Sequence, residues 1–322
     1  MANVVVIGSF NVDHVWNVAT LPRPGETLSG EYRSGPGGKG FNQATAAARA
    51  GAATAFVCAL GDDAGGQLAR ALATADDIDL RDQRSEAPTG TAGIFVDAQG
   101  RNSIVIGPGA NATLRPGFVA QQHATIAAAS VLLAQLETPA EAIMAAFSIA
   151  RDAGVPAVLN PAPADAIAPA ALWALATVVT PNEIEFCAQL ARHTGEQANP
   201  DTLATQDDAT LHRLCRRLLP HGSVVITLGA SGCFVSHAEG HLRGDANAHY
   251  RIAAEAVNAI DTTGAGDAFN GALAAALARA PAAAFQHHVR YANRYAALST
   301  ERAGAAASMP RDTELRARFG AD

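Results

Sequence analysis

The segment DTTGAGDAFNG, residues 261–271, sets two aspartates around a glycine turn: Asp261 precedes Thr262 and Thr263, and Asp267 stands behind Gly264, Ala265 and Gly266. The alanine-rich run that follows predicts a helix beginning at Asp267, whose positive dipole end faces the converging N–H groups of the turn. An anion, or charge that develops during a reaction, is stabilised at such a point. An aspartate in a first turn also serves as an N-cap. Capping needs one carboxylate, whereas this segment supplies two carboxylates and two hydroxyls. Phosphoryl transfer uses the whole set: a carboxylate takes the proton of an attacking hydroxyl while the donor turn holds the charge of the moving group.

A second glycine-rich segment, GPGGKG at 35–40, carries Lys39, the only lysine in the chain. A lysine there offers a compact, strongly hydrated charge, and the glycines let a ligand approach the backbone. With Asn42 nearby it presents donors to hydroxyls or phosphate; the alternative is a solvated lysine in a flexible turn. The segment also satisfies G-x-G-x-x-G, with Asp62 near the spacing of a ribose-binding acid. A dinucleotide fingerprint, however, follows directly from the first strand, and here residues 14–34 intervene. A P-loop is excluded because Gly40, rather than Ser or Thr, follows Lys39.

Further polar groups sit where apolar runs end. Asn11 and Asp13 follow VVVIG; Glu137, in QLETP, follows VLLA; Asn182, Glu183 and Glu185, in TPNEIE, follow VVT; and TLGASG, Thr227 to Gly232, follows VVI. The carboxylates of TPNEIE suit a hydrated magnesium ion rather than a full protein cage. TLGASG exposes backbone groups along which a nucleotide could lie. Each segment alone reads as a structural strand-to-helix turn; together they form a rim of polar termini, where open α/β sheets gather their ligands.

The elements that must position these groups follow from an alternation of alanine-rich helical stretches with short β-branched runs at 4–8, 55–60, 157–160, 178–180 and 224–229. That rhythm predicts a parallel sheet with crossover helices. FNQATAAARAGA (41–52) reads as a helix closed by Gly51. Two turn-rich insertions interrupt the alternation; in the second, AGIFVD and NSIVIG flank AQGR as a hairpin. They predict a small separate sheet, serving as a lid, as an edge that pairs with another subunit, or only as extra strands. Residues 192–211 read as a surface loop with part of a helix.

A net charge of −7 with scattered arginines leaves no footprint for nucleic acid or an anionic membrane. The apolar runs near 124–136 and 166–180 fall short of a bilayer span, and the first apolar run has no signal-peptide form, so a cytoplasmic location is expected. Cys58, Cys187, Cys215 and Cys233 stand far apart and read as reduced core thiols. The ten histidines are dispersed and predict no metal site.

In order, GSFNVDH, GGKGFNQA, GDD, IGPGANA, LLAQLETP, NPAPA, TPNEIE, ITLGASG, DTTGAGDAFNGAL and ERAGAAASMP cover nearly the whole chain. The sequence thereby resembles the ribokinase branch of the phosphofructokinase-B-type carbohydrate kinase family. The resemblance implies a ribokinase-like α/β fold, a mainly parallel open sheet flanked by helices, as a single kinase domain over 1–322. It implies a small β-sheet lid formed by insertions at about 12–36 and 89–109 and shared across a homodimer. The implied activity is ATP-dependent phosphorylation of the primary hydroxyl of D-ribose to D-ribose 5-phosphate. Fructose, another sugar or a nucleoside is the alternative acceptor, with Trp16 and Phe41 as candidates for a wall against a base. A non-catalytic sugar sensor on a kinase fold and a nicotinamide oxidoreductase are the readings from other classes.

The same resemblance assigns sugar hydroxyls to Asn11, Asp13, Gly38, Lys39, Asn42 and Glu137, proton removal to Asp267, and the anion hole to the backbone of Ala265 and Gly266 at the Gly264–Asp267 turn. It places the nucleotide along Thr227, Leu228, Gly229, Ala230, Ser231 and Gly232, with Asn293 near the adenine, and phosphate and magnesium at Asn182 and Glu185, the ion through water. It implies a potassium ion at Asp261, Thr263, Ser299, Arg302, Gly304 and Ser308, several through backbone carbonyls. The run AGAAAS departs there from the family's KGAQPS, and loss of the proline leaves the loop less rigid. Phe41 stands where many relatives have alanine, either facing the core or reshaping the sugar pocket.

Overall fold

The computed structural model describes residues 3–320. Its strands are β1 (Asn3–Ile7), β2 (Asn11–Asn17), β3 (Glu31–Gly37), β4 (Ala53–Gly61), β5 (Asp79–Ser85), β6 (Gly90–Val96), β7 (Asn102–Gly107), β8 (Val131–Ala134), β9 (Ala157–Leu159), β10 (Val178–Val179), β11 (Ser223–Thr227), β12 (Cys233–Ser236) and β13 (His249–Ile252). Nine of them form one sheet in the order β13-β12-β11-β10-β9-β8-β1-β4-β5. From β5 to β11 every pairing is parallel; β12 and β13 close that end in antiparallel fashion. The ribokinase-like α/β expectation is borne out.

Strands buried on both faces need continuous apolar runs rather than alternation. β1 shows why: Val4 and Val6 enter the core on one side of the sheet, Val5 and Ile7 the core on the other. The first side is filled by the helices Lys39–Arg49, Ala265–Arg279 and Phe285–Ser299; the second by Ala140–Asp152, Glu183–Thr194 and Asp208–Leu218. Helix Ala265–Arg279 is almost wholly buried, which its small alanines permit. Gly51 follows helix Lys39–Arg49 with a φ of 89°, the left-handed closure predicted for it. The four cysteines are buried and unpaired. Among the described residues, no helix is long and apolar enough to cross a membrane.

Four strands stand apart as a second sheet in the order β3-β2-β6-β7, built from the two insertions. β6 and β7 form the predicted hairpin, with Val96 opposite Asn102. β5, by contrast, is invisible in the hydrophobic pattern: DLRDQRS is a polar edge strand, held by ion pairs such as Arg70 with Asp82. The segment 192–211 holds more helix than predicted: the end of Glu183–Thr194, the short Pro200–Leu203 and the start of Asp208–Leu218.

Candidate active site

From β1 the strand order runs outward in both directions, so the carboxyl ends of β1 and β8 flank a topological switch point. Because β1, β8, β9, β10 and β11 are parallel, the residues that follow them emerge on one edge: Ser9 and Asn11, Gln135 and Glu137, Asn160, Asn182, and Leu228 to Gly232. The polar termini read from the sequence are thus one rim.

Helix Ala265–Arg279 starts at this rim, two residues earlier than predicted, after Gly264 in the left-handed conformation at φ 76°. Asp267 does not cap it. Its Oδ2 accepts from Asn42 Nδ2 at 2.9 Å and its Oδ1 from Gln43 Nε2 at 2.9 Å. Burial drives the Asp267 pKa above the ordinary carboxylate value, against the opposing pull of the Lys39 ammonium and the two amide donors. Within the turn the Ala265 N–H donates to the Thr262 carbonyl at 3.1 Å. The N–H groups of Gly266 and Asp267 find no acceptor among the described residues, and these two point into the turn as free donors.

Glu137 draws three segments together, since its Oε2 accepts from the Ser9 hydroxyl at 2.5 Å and from the Lys39 N–H at 3.0 Å. Burial works against the Lys39 ammonium, but the carboxylates of Asp267, Glu137 and Glu185 outweigh it and raise its pKa. Lys39 is therefore a cation held among acids, not a solvated lysine in a loose turn. Asp13 faces the same group; burial first, then Glu137 and Asp267, push its carboxyl up to about 6. Asn11 is buried, its Oδ1 accepting from Asn111 Nδ2 at 2.8 Å. Asn42 Oδ1 is buried without a partner, an acceptor available to a hydroxyl.

Three of the glycines of GPGGKG, Gly37, Gly38 and Gly40, serve the protein's own packing. A side chain at Gly37 would collide with the Asp13 carboxylate, and one at Gly40 with the backbone of Gly8 and Ser9. Gly38, at φ 85°, lies with its Cα region against Phe10 and the Asn11 N–H. Close backbone contact is what these positions require.

A cavity of about 150 Å³ lies beside Asp267, lined among others by Lys39, Asn160, Asn182, Glu185 and Gly266. A cleft of about 490 Å³ adjoins it, with Asn182, Thr227, Thr262, Ala265 and Gly266 common to both. Its walls include Gly229, Ala230, Gly232, Val257, Phe269 and Asn293, a largely apolar slot with polar ends. Asn293 Nδ2 donates to the Ala253 carbonyl at 2.8 Å and so pins one wall. Leu228 and Ser231 do not line it: Leu228 belongs to the core, and Ser231 is exposed at the turn.

Asn182 and Glu185 form a capping box, with Glu185 N–H on Asn182 Oδ1 at 2.8 Å and Asn182 N–H on Glu185 Oε2 at 2.9 Å. The structural role and the site role coincide, because Glu185 also lines the smaller cavity. Burial raises its pKa most strongly. Among the described residues no cluster of three His, Cys, Asp or Glu could hold a metal ion.

Asp261 bridges two segments, accepting the Thr263 N–H and the Gly304 N–H at 2.9 Å each. Burial opposes its ionisation, but the Gly304 N–H, the hydroxyl and N–H of Thr263 and the Arg33 charge together hold its pKa down. Ser299 and Ser308 are buried and donate to Ala296 and Ala305 carbonyls, while Arg302 pairs with Glu314.

Three residues fall outside the site. Phe41 is buried edge-on to Phe10 at 5.1 Å, which decides between its two readings in favour of the core. Trp16 packs on Tyr32 and Phe95 in the small sheet. Asp62 is exposed and pairs with Arg84 at 3.8 Å. Conversely, Ser9, Gln43, Gln135, Asn160 and Asn111 hold the site together without having been singled out. Each lies in or beside a quoted motif, and a polar residue at the end of an apolar strand was the available signal.

The profile of the pfkB family carbohydrate kinases matches residues 1–312. The ribokinase of Haemophilus influenzae is 39% identical over 310 residues, covering 95% of each chain. That of Mus musculus is 38% identical over 320 residues, covering 98% of this chain and 94% of its own. The solved structure of Arabidopsis thaliana ribokinase complexed with ribose and ATP superposes with a TM-score of 0.84 at 28% identity, over 100% of both chains. A parallel sheet with its polar groups gathered at the switch point, and likeness of this extent, lead to one conclusion: the chain belongs to the pfkB family of carbohydrate kinases.

Proposed function

We propose that the protein transfers the terminal phosphoryl group of ATP to the primary hydroxyl of D-ribose, giving D-ribose 5-phosphate. The observation that carries this reading is the Asp267 carboxylate, buried and amide-held beside the free N–H groups of Gly266 and Asp267, where the smaller cavity meets the apolar cleft. Asp267 takes the hydroxyl proton as general base, and those N–H groups receive the charge of the migrating phosphoryl group. The raised pKa strengthens the base. Asn11, Asp13, Lys39, Asn42, Glu137 and the Gly38 backbone orient the sugar. The adenine end of ATP lies in the apolar cleft near Asn293, along Thr227, Gly229, Ala230 and Gly232.

Magnesium would be held at Glu185 and Asn182: the cap engages Oε2 of Glu185 and leaves Oε1 for the ion or its water, and a magnesium that keeps its water and takes phosphate oxygens needs no protein cage. When bound it neutralises phosphate charge. Potassium would take oxygens of Asp261, Thr263, Ser299 and Ser308 and the backbone carbonyls of Arg302 and Gly304; what supports this reading is that Asp261 already joins Thr263 to Gly304. The chain over 1–322 acts as one domain, with 12–36 and 89–109 as its lid.

The lid also supports a homodimer. β7 is the outer strand of the small sheet, exposed throughout, and it presents Ile104, Val105 and Ile106 beside an unpaired edge. The nucleoside alternative lacks support from its two candidate aromatics, since neither Phe41, packed on Phe10, nor Trp16, stacked on Phe95, lines the cavity or the cleft. The deciding experiment is an ATP-consumption screen of ribose, 2-deoxyribose, fructose and nucleosides, with and without potassium. Ribose is expected to give the highest kcat/KM; a clear preference for any other acceptor replaces it, and NAD binding without ATP binding rejects the kinase reading.

A further inference from the structure

Beside Asp267 a chain of buried amides links five parts of the fold; of its members, Asn160 reaches the cavity wall and Gln43 and Gln135 do not. Gln43, on helix Lys39–Arg49, donates through Nε2 both to Asp267 Oδ1 at 2.9 Å and to Asn160 Oδ1 at 3.1 Å. Its Oε1 accepts from Gln135 Nε2, at the end of β8. Asn160, at the end of β9, donates through Nδ2 to the Thr180 carbonyl at 3.0 Å. Gln43 and Gln135 have no solvent exposure, and Gln43 does not line the cavity.

The orientation of every amide follows from one fixed point. A backbone carbonyl only accepts, so Asn160 must turn its NH₂ to Thr180 and its oxygen to Gln43. Gln43 must then turn its NH₂ inward and its oxygen to Gln135, which must donate. Both Gln43 hydrogens are thereby committed, one of them to the carboxylate. Asn42 supplies one donor to the other carboxylate oxygen. Each Asp267 oxygen thus has one lone pair taken by an amide, and what remains for an incoming proton faces the cavity.

We propose that Gln43 is a positioning residue for the reaction, aiming the Asp267 carboxylate at the acceptor hydroxyl, with Gln135 and Asn160 fixing which way Gln43 points. It touches neither sugar nor nucleotide and acts only through Asp267. The inference rests on Asp267 being the general base. A purely structural role for the same amides predicts loss of stability without a change in how activity depends on pH. The positioning role predicts such a change, because an amide donor favours the ionised carboxylate. The charged groups facing Asp267 are Lys39, Glu137, Asp13 and Glu185, and all are kept in the variants below.

The test is steady-state kinetics of the full chain with ATP, magnesium and ribose, from pH 5 to 9, for Gln43→Leu, Gln135→Met and Asp267→Asn, with nucleotide-binding titration as the control for folding. Gln43→Leu is expected to lower kcat about 10- to 100-fold, the effect of losing a hydrogen bond to a charged group. The ribose KM should stay within about twofold, and the acid limb of kcat should move up by about one pH unit. Gln135→Met, which keeps Gln43 but leaves its Oε1 without a donor and so loosens it, should move the limb the same way by less; if Gln43→Leu fails to fold, this variant decides. An unmoved acid limb, or a change confined to ribose KM, overturns the proposal. If Asp267→Asn keeps its turnover, the general-base reading falls and the positioning role with it. If Asp267→Asn is inactive while the acid limb is unmoved in both glutamine variants, only the positioning role falls.

Discussion

The carboxylate of Glu137 accepts the backbone N–H of Lys39 at 3.0 Å, across 98 positions of sequence, and the Ser9 hydroxyl at 2.5 Å. One acid therefore ties the ends of β1 and β8 to the start of the helix that carries Asn42 and Gln43. Glu137→Gln is expected to raise the ribose KM about 10- to 100-fold, since hydrogen bonds to a charged group contribute about 1.5–3 kcal/mol each. Its kcat should change less. Initial-rate kinetics over ribose concentration checks the split, and a fall confined to kcat would move Glu137 into the chemical step.

Asp267→Asn preserves the shape of the site and removes the proton acceptor. Turnover is expected to fall by roughly 10² to 10⁴ with nucleotide binding intact. Quenched-flow or coupled assays measure it; near-wild-type turnover assigns proton removal elsewhere.

Asp13 gives a pH signature with a definite sign. Its carboxyl is raised from 3.8 to about 6 in the folded chain, so between those values the native state holds a proton that the unfolded state has released. Stability from this group is greatest below about 4 and is lost as pH rises through 6. Asp13→Asn is accordingly expected to stabilise the fold at pH 8, by on the order of 2 to 3 kcal/mol, and to make no such difference near pH 4. The same change should weaken ribose binding. Chemical denaturation at the two pH values checks it, and equal stability of variant and wild type at pH 8 refutes it.

Gly40→Ala tests the close approach of helix Lys39–Arg49 to β1. A Cβ there meets the backbone of Gly8, its Cα at 2.7 Å, and the Ser9 N–H, none of which can swing aside. Overpacking of this kind costs about 1–3 kcal/mol. The shift should also disturb the Ser9–Glu137 hydrogen bond, so ribose KM rises together with the loss of stability. A variant as stable as wild type would show that the helix can slide.

Val105, 68% exposed on β7, lies at the centre of the lid's apolar edge. Val105→Glu is expected to convert a dimer to a monomer in sedimentation velocity at micromolar concentration, with the monomer's fold unchanged. A wild-type chain that already sediments as a monomer rejects the lid interface.

Much of the fold was legible because a parallel sheet buried on both faces leaves a plain mark. VVVIG, AFVCAL and VVITLG became β1, β4 and β11. β5 was not legible: an edge strand satisfied by ion pairs carries no hydrophobic period. Gln43 and Gln135 were passed over for a related reason, since a buried glutamine has the same letter as a solvated one until its partners are known.

What the residues along the chain determined by themselves was the family, the alternation of strands and helices, and the presence of a glycine turn next to Asp267. Local order carries these, because turn, cap and helix depend on neighbours a few positions away. Only the tertiary structure decided what Asp267 does with its carboxylate. The donors that take it from capping, Asn42 and Gln43, lie 225 and 224 positions away. It also decided which N–H groups of the turn are free, and that Phe41 faces the core. Burial, charge coupling and hydrogen-bond direction are properties of surroundings, and those surroundings exist only once β1, β8 and the helix starting at Ala265 have met.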